Sequence, residues 1–395
     1  QYWYKILNIF LPNLHLPNYQ KFVILPACFM YNDLLYQIAL TRVPQVGDVH
    51  AKNLVQLYGS AEAIFKAPKQ QLEKLEGMGT IRAKNIKQFQ QFSDCETEIA
   101  FIEKYKIVPL FINHPSYPKR LLNCYDSPPL LFYKGNADLN TTKIISIVGT
   151  RSNSDYGKHF CESFLENLKN SDILVISGLA FGIDTLAHKN ALKNSLSTVA
   201  VLAHGLDRIY PGENKNLAKQ MTEQGGLLTD FCSGTKPDKQ NFPKRNRIVA
   251  GICDALIVVE SGKKGGSLIT AELANSYNKD VFALPGKSTD TKSEGCNFLI
   301  KTNKAMLLTE ADDLLKMMNW GTPKPIIQKQ QRELFIELQP NEKIIVELLK
   351  QNDKLFIDEL YLKSGLSSSA AAQALLMLEM EGIVKSLPGK MYQLI

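Results

Sequence analysis

From residue 143 to 318 the chain alternates between two kinds of block. Short, near-continuous apolar runs recur at IISIVGT (144–150), ILVISGL (173–179), STVAVLAHG (197–205), GLLTDF (226–231), ALIVVES (255–261), DVFALPG (280–286) and AMLLTE (305–310). Strands covered on both faces read this way, because neither face is left to water. Between them lie longer stretches with helical spacing, such as YGKHFCESFLENLKN (156–170) and GSLITAELANSYN (266–278). This alternation predicts an α/β fold, an extended Rossmann-like, doubly wound and mostly parallel sheet.

The flanks follow other patterns. Residues 31–95 read as short helices. Residues 99–140 are transitional, broken by Pro109, Pro115, Pro118, Pro128 and Pro129, and PLLFYKGN (129–136) reads as an edge strand ending in a turn. Residues 321–340 are polar and bracketed by Pro, as in a linker. Beyond them, NEKIIVELLKQ and FIDELYLKSG are helical, a Ser-capped LSSSAAAQALLMLEMEG follows, and KSLPGKMYQLI supplies two short strands, a winged-helix pattern. The expected divisions are a helical module at 30–98, the α/β domain at 99–320, a linker at 321–340 and a winged helix at 341–395. Residues 1–29 start without Met and hold two Lys, three Pro and no acid. The expectation is that Met30 is the true start and that the preceding residues are translated upstream sequence. A disordered N-terminal arm is the alternative.

Composition adds little to this picture. With 395 residues, 45% hydrophobic and 22% charged, the chain can bury a sizeable core in two or three domains. A net charge of +7 permits a polyanionic partner without demanding one. The seven Cys are irregularly spaced and form no CxxC pair. That pattern fits a reduced, cytoplasmic protein with neither a disulfide framework nor a zinc module. No apolar run approaches the length of a membrane span, so no membrane association is expected.

Candidate chemistry gathers where the strands end. Strand one runs into Gly149, Thr150 and Arg151, and strand two into Ser177 and Gly178. Strand five runs into Glu260 and Ser261, followed by Gly265, Gly266 and Ser267 at a helix start. Ligands of doubly wound sheets sit beyond these ends. Ahead of strand five, FPKRNRIVAG (242–251) places Phe242, Lys244, Arg245, Asn246 and Arg247 at a helix mouth. If Pro243 opens that helix, the cations face the positive dipole end, which disfavours them unless an anion sits there. A phosphate-bearing partner is one reading. Internal pairing of Arg245 or Arg247 with Asp230, Asp254 or Glu260 is the other. Catalytic signatures are missing: the P-loop spacing fails, no G-x-G-x-x-G opens the first helix, His188 reads as packed or capping, and no metal-ligand spacing or cofactor motif appears.

In the helical part, VPQVGDVHAKNL (43–54) and LEGMGTIRAKNI (75–86) resemble each other, as in a tandem helix-hairpin-helix (SAM-like) module. A Gly-x-Gly turn can point backbone N–H groups at a phosphate. Gly77, Gly79, Arg82 and Lys84 are therefore candidates for a secondary DNA contact, set against a plain helical turn. Residues 31–95 hold eight Lys or Arg against six Asp or Glu, a weak basic excess.

VGTRSNSDYG (148–157), SGLAFGIDTLAH (177–188), TVAVLAHGLDRIYPGEN (198–214), FPKRNRIVAG, GGSLITAELA (265–274) and VFALPGKSTDTKSEGCNFLI (281–300) resemble, in order, the motifs of the DNA-processing protein A (DprA/Smf) family. With PLLFYKGN the match covers about residues 105–320, and both flanking modules are the family's usual ones. The resemblance implies a non-catalytic, single-stranded DNA-binding homodimer that protects incoming DNA and delivers it to the RecA recombinase during natural transformation. It implies a positively charged pocket that includes Arg151, the Ser177-Gly178 turn, the cations at 244, 245 and 247, and the turn at 265–267. Position 150 is Thr where many members have Ser. Position 181 is Phe where some have a cation; Phe181, like Phe242, could stack on a base or be buried. The would-be recognition helix of the winged domain has no Lys or Arg, and residues 341–395 hold six cations against seven acids. That balance predicts no reading of duplex DNA. The competing class is a nucleotide-processing enzyme resembling nucleoside-monophosphate phosphoribohydrolases, with Glu272 in GGSLITAE as its acid.

Overall fold

The computed structural model describes residues 27–169, 171–320, 338–352, 354–387 and 389–394. They fall into two compact units, one up to Gly321 and one from Thr322 on. Most of residues 1–29 and of the expected linker lies outside the described residues.

The first unit opens with six helices: α1 (Ala27–Arg42), α2 (Asp48–Tyr58), α3 (Ala61–Lys66), α4 (Lys69–Glu73), α5 (Gly79–Lys87) and α6 (Phe92–Tyr105). Strand β1 (Val108–Phe111), helix α7 (Lys119–Leu122) and β2 (Leu130–Gly135) lead into the alternating region. There the order is β3 (Lys143–Val148), α8 (Asp155–Asn167), β4 (Ile173–Ser177), α9 (Ile183–Lys193), β5 (Thr198–Val201), α10 (Lys215–Glu223) and β6 (Gly225–Thr229). It continues with α11 (Asn241–Ile252), β7 (Ala255–Val258), α12 (Gly266–Ser276), β8 (Asp280–Ala283), α13 (Glu294–Lys301), β9 (Met306–Leu307) and α14 (Ala311–Met317).

All nine strands join one sheet in the order β1-β2-β6-β5-β4-β3-β7-β8-β9. The seven from β3 onward run parallel, whereas β2 pairs antiparallel with both β6 and β1. The segment 129–136 is therefore not the edge. The edge is β1, inside the stretch read as transitional, where Pro109 hid it: an edge strand tolerates Pro because its outer N–H groups need no partner.

Strand alternation feeds two cores. Ile144 and Val148 of β3, with Leu256 and Val258 of β7, pack with Ile248 of α11 and Ala271 of α12. Ile145 and Ile147, with Ile257, pack on Phe164 of α8 and Ala187 of α9. A third core holds the helical module together and takes in Phe111, Leu130 and Phe132 from the first two strands. Among the described residues, no helix is long and apolar enough to cross a membrane.

The second unit holds α15 (Pro340–Gln351), β10 (Leu355–Phe356), α16 (Ile357–Ser364), α17 (Ser368–Met380), β11 (Val384–Leu387) and β12 (Met391–Leu394), with sheet order β10-β12-β11. Ser367 caps α17 by accepting from the Ala370 N–H. The helix buries Ala371, Ala374, Leu375 and Leu378 and leaves Leu376, Met377 and Met380 exposed.

Candidate nucleic-acid interface

Strand order reverses at β3: the chain winds outward to β6, then returns to lay β7 on the other side of β3. Loops leaving β3 and β7 therefore diverge, and a crevice opens beyond their carboxyl ends. The Thr150 N–H donates to the Glu260 carbonyl at 2.8 Å and ties the two loop starts together. Glu260 is buried, and its carboxylate accepts from the Ser154 N–H at 2.9 Å, which fixes the start of α8. Gly182, with φ +75°, lets the α9 turn approach Thr150; a Cβ there would lie 2.3 Å from the Thr150 oxygen.

The crevice holds a cavity of about 490 Å³. Thr150, Arg151 and Gly178 form one wall, Phe242, Arg245 and Asn246 a second, and Gly265, Gly266 and Ser267 the start of α12. A niche beside it shares Arg151, Phe242 and Arg245 and adds Phe181 and Tyr210. Aromatic rings and guanidinium groups interleave here. The Arg151 guanidinium lies 5.0 Å from the Phe242 ring centroid and that of Arg245 6.0 Å, with the Tyr210 ring 6.4 Å away. Phe181 is 45% exposed, so it is not a buried core residue.

Arg245 is 6% exposed. It donates to the Val201 carbonyl and, at 3.2 Å, to Asn246 Oδ1. Burial lowers its pKa, against the opposing pull of the nearby Asp184 charge. Burial also raises Asp184, although Arg245 and the Ala180 N–H favour its charged form. The two groups make no ion pair among the described residues, although both reach the Gly178 turn, so the Asp184 charge offsets the burial of the guanidinium only in part. An entering anion would relieve it. Below them, His188 is fully buried, with Nε2 donating to the Gly178 carbonyl at 2.6 Å and Nδ1 2.7 Å from Thr198 Oγ1. Burial depresses its pKa to about 4, so it is a neutral prop under the Gly178 turn, packed as its sequence context suggested.

Several sequence expectations need correction. Helix α11 starts at Asn241, two residues before Pro243, so Lys244 ends its first turn and Arg245 and Arg247 lie in the second. The dipole argument for an anion therefore weakens, because that effect fades beyond the first turn. Arg247 leaves the site: it pairs with Asp48 and Asp230, each at 2.8 Å, and donates to the Asp126 carbonyl. Desolvation works against its charge, but these acids prevail and hold it firmly charged. Internal pairing thus describes Arg247, whereas Lys244 is exposed beside the lining residue Pro243. Ser177 is buried and its hydroxyl donates to the Ile147 carbonyl at 2.6 Å, so it braces the sheet. In the helical module, Gly77 and Gly79 have positive φ and Lys84 is exposed, but Arg82 turns inward, donating to the Gln45 carbonyl at 2.9 Å and to that of Gly77 at 2.8 Å. Glu272 pairs with Lys304 at 2.6 Å, and neither is part of the cavity wall, so the acid required by the enzyme reading is elsewhere.

Lys239 and Tyr210 also line these hollows and were not anticipated. Tyr210 lay within a recognised motif, DRIYPGEN. Lys239 lay in a loop without periodicity, which offered no signal.

Residues 109–319 match the family model for DNA recombination-mediator protein A. The chain belongs to the DNA recombination-mediator protein A family. Residues 335–390 match the DprA winged helix domain. The chain is 31% identical over 393 residues to Protein Smf of Synechocystis, covering 91% of this chain and 98% of that protein. It is 40% identical to the DNA processing protein DprA of Streptococcus pneumoniae, covering 56% of this chain and 83% of the other. The X-ray structure of the S. pneumoniae protein superimposes with a TM-score of 0.62 at 34% identity, covering 71% of this chain and 97% of that one. A structure described as giving the single-stranded DNA binding mode of DNA processing protein A from Helicobacter pylori matches with a TM-score of 0.50 at 27% identity, covering 54% of this chain and 96% of that one. Membership of the DNA recombination-mediator protein A family assigns the chain to DNA processing and recombination.

Proposed function

We propose that this mediator binds single-stranded DNA at the carboxyl end of its sheet, without catalysis, and hands it to the RecA recombinase as a cytoplasmic homodimer during natural transformation. The observation that carries the DNA reading is the buried Arg245 shared by the cavity and its neighbouring niche, where Arg151 stands among Phe242, Tyr210 and Phe181. Guanidinium groups take phosphates and exposed rings take bases of any identity, a combination suited to a single strand. The H. pylori relative's structure, described as giving its single-stranded DNA binding mode, favours the same reading.

The test is a salt series with fluorescent oligo-dT and with duplex of equal length. Wild type should prefer the single strand, with affinity falling steeply as salt rises. An Arg151→Ala/Lys244→Ala variant, folded by circular dichroism, should bind more weakly, with a slope smaller by about 1.4. Equal affinity for duplex and single strand, or an unaltered variant, would overturn the site. Delivery to RecA is read separately, as faster strand exchange on DNA coated by a single-strand-binding protein.

A further inference from the structure

Beyond the cavity rim, two loops are built as one platform. The loop from β7 to α12 carries Lys263 and Lys264, both exposed. The loop from β8 to α13 carries Lys287, exposed, and Lys292, half-buried. The Ser261 N–H donates to the Lys292 carbonyl, and the Gly295 N–H to the Ser261 carbonyl, each at 2.8 Å. A side chain at Gly295 would meet the Gly262 oxygen at 2.7 Å, so the backbones touch. Asn297 closes the base of the second loop, accepting from the Gly286 N–H at 3.2 Å and donating to its carbonyl at 2.9 Å. From α8 the Tyr156 hydroxyl donates to the Pro285 carbonyl at 2.9 Å, while the residue stays 49% exposed. Asp290, whose carboxyl is held below its usual range, accepts from the Lys292 N–H and the Ser293 hydroxyl. No ion pair ties any of the four lysines among the described residues.

This platform stands at the same end of the sheet as the cavity, and Gly262 belongs to both: it lines the cavity and lies against Thr291. We propose that it is a second subsite for the same single strand, in which the lysines take backbone phosphates and the Tyr156 ring takes a base. The inference rests on the cavity being a single-stranded DNA site and extends that site past the α12 start. The loop backbones are held to one another, so little backbone ordering is needed on binding. Lysines offer point charges without bidentate geometry, which suits a backbone of any sequence.

Oligo-dT of increasing length, titrated across a salt series, separates the two stations. The Lys263→Ala/Lys264→Ala/Lys287→Ala variant should match wild type on the shortest oligonucleotide that binds. On longer ones its salt slope should be smaller by about 2, from three lost phosphate contacts. Tyr156→Ala should weaken long oligonucleotides about fivefold or more, and Tyr156→Phe, which keeps the ring, should bind as wild type does. A triple variant equal to wild type at every length, or weakened equally at the shortest, would overturn the second subsite and leave the cavity standing. If wild type bound no oligonucleotide at any length, both readings would fall.

Discussion

Three cations within four positions of α11 have three different fates. Lys244 reaches solvent, Arg245 is buried against the cavity, and Arg247 closes a partly buried link between Asp48 and Asp230. Removing Arg247 should therefore act on stability. Arg247→Ala strands the largely buried Asp230, while Asp48 is open enough to regain water, and should cost about 3 kcal/mol. Chemical denaturation reads that loss, and the salt slope of DNA binding should stay at its wild-type value while the chain is folded. A slope reduced as in the Arg151 variant would put Arg247 back among the DNA contacts. His188 gives a prediction in pH. Its ordinary pKa of 6.5 is depressed to about 4 in the fold by burial. On acidification the unfolded chain takes the proton first, so stability falls as pH drops from about 6.5 to 4 and levels off below that. The loss is roughly 3 kcal/mol at most. Urea midpoints across that range should show it in wild type, and the His188→Gln variant should lack that component. Parallel curves for the two proteins would rule the imidazole out.

At the scale of elements, the parallel strands were legible because burial on both faces writes itself as unbroken apolar runs. The site was legible in part. Gly178 and Gly265 stood in recognisable turns, but sequence cannot say which of two neighbouring arginines faces inward. That depends on Asp48, nearly two hundred residues away, which is nowhere signalled as a partner. Strand β1 was missed because its Pro109 looks like a breaker until the strand is known to be an edge. Helix α17 is a different lesson, since its family's motif name promises DNA while its own residues do not. Its outward Leu376, Met377 and Met380 offer no charge to a phosphate. A chain ending at Trp320 should then bind duplex no more weakly than the full chain. A tenfold loss of duplex affinity in a fluorescence titration would show that the winged helix reads DNA after all.

At the scale of the whole first unit, polar ties cross from the helical module to the sheet domain. Arg247 reaches Asp48. Lys52 donates to the Leu122 and Cys124 carbonyls at 2.8 and 2.7 Å. Glu98 accepts from the Ser233 N–H at 3.0 Å. Helix α6 also runs through the expected boundary at residue 98. The antiparallel strand β2 goes further, because its two faces belong to different cores: Leu131 and Tyr133 pack with the sheet's helices, Leu130 and Phe132 with the module. A gene shuffled at that boundary would hand its new owner a sheet with one bare, greasy flank. The two halves therefore share one buried seam, and a transplanted sheet domain would have to bring either this module or a replacement with the same apolar footprint.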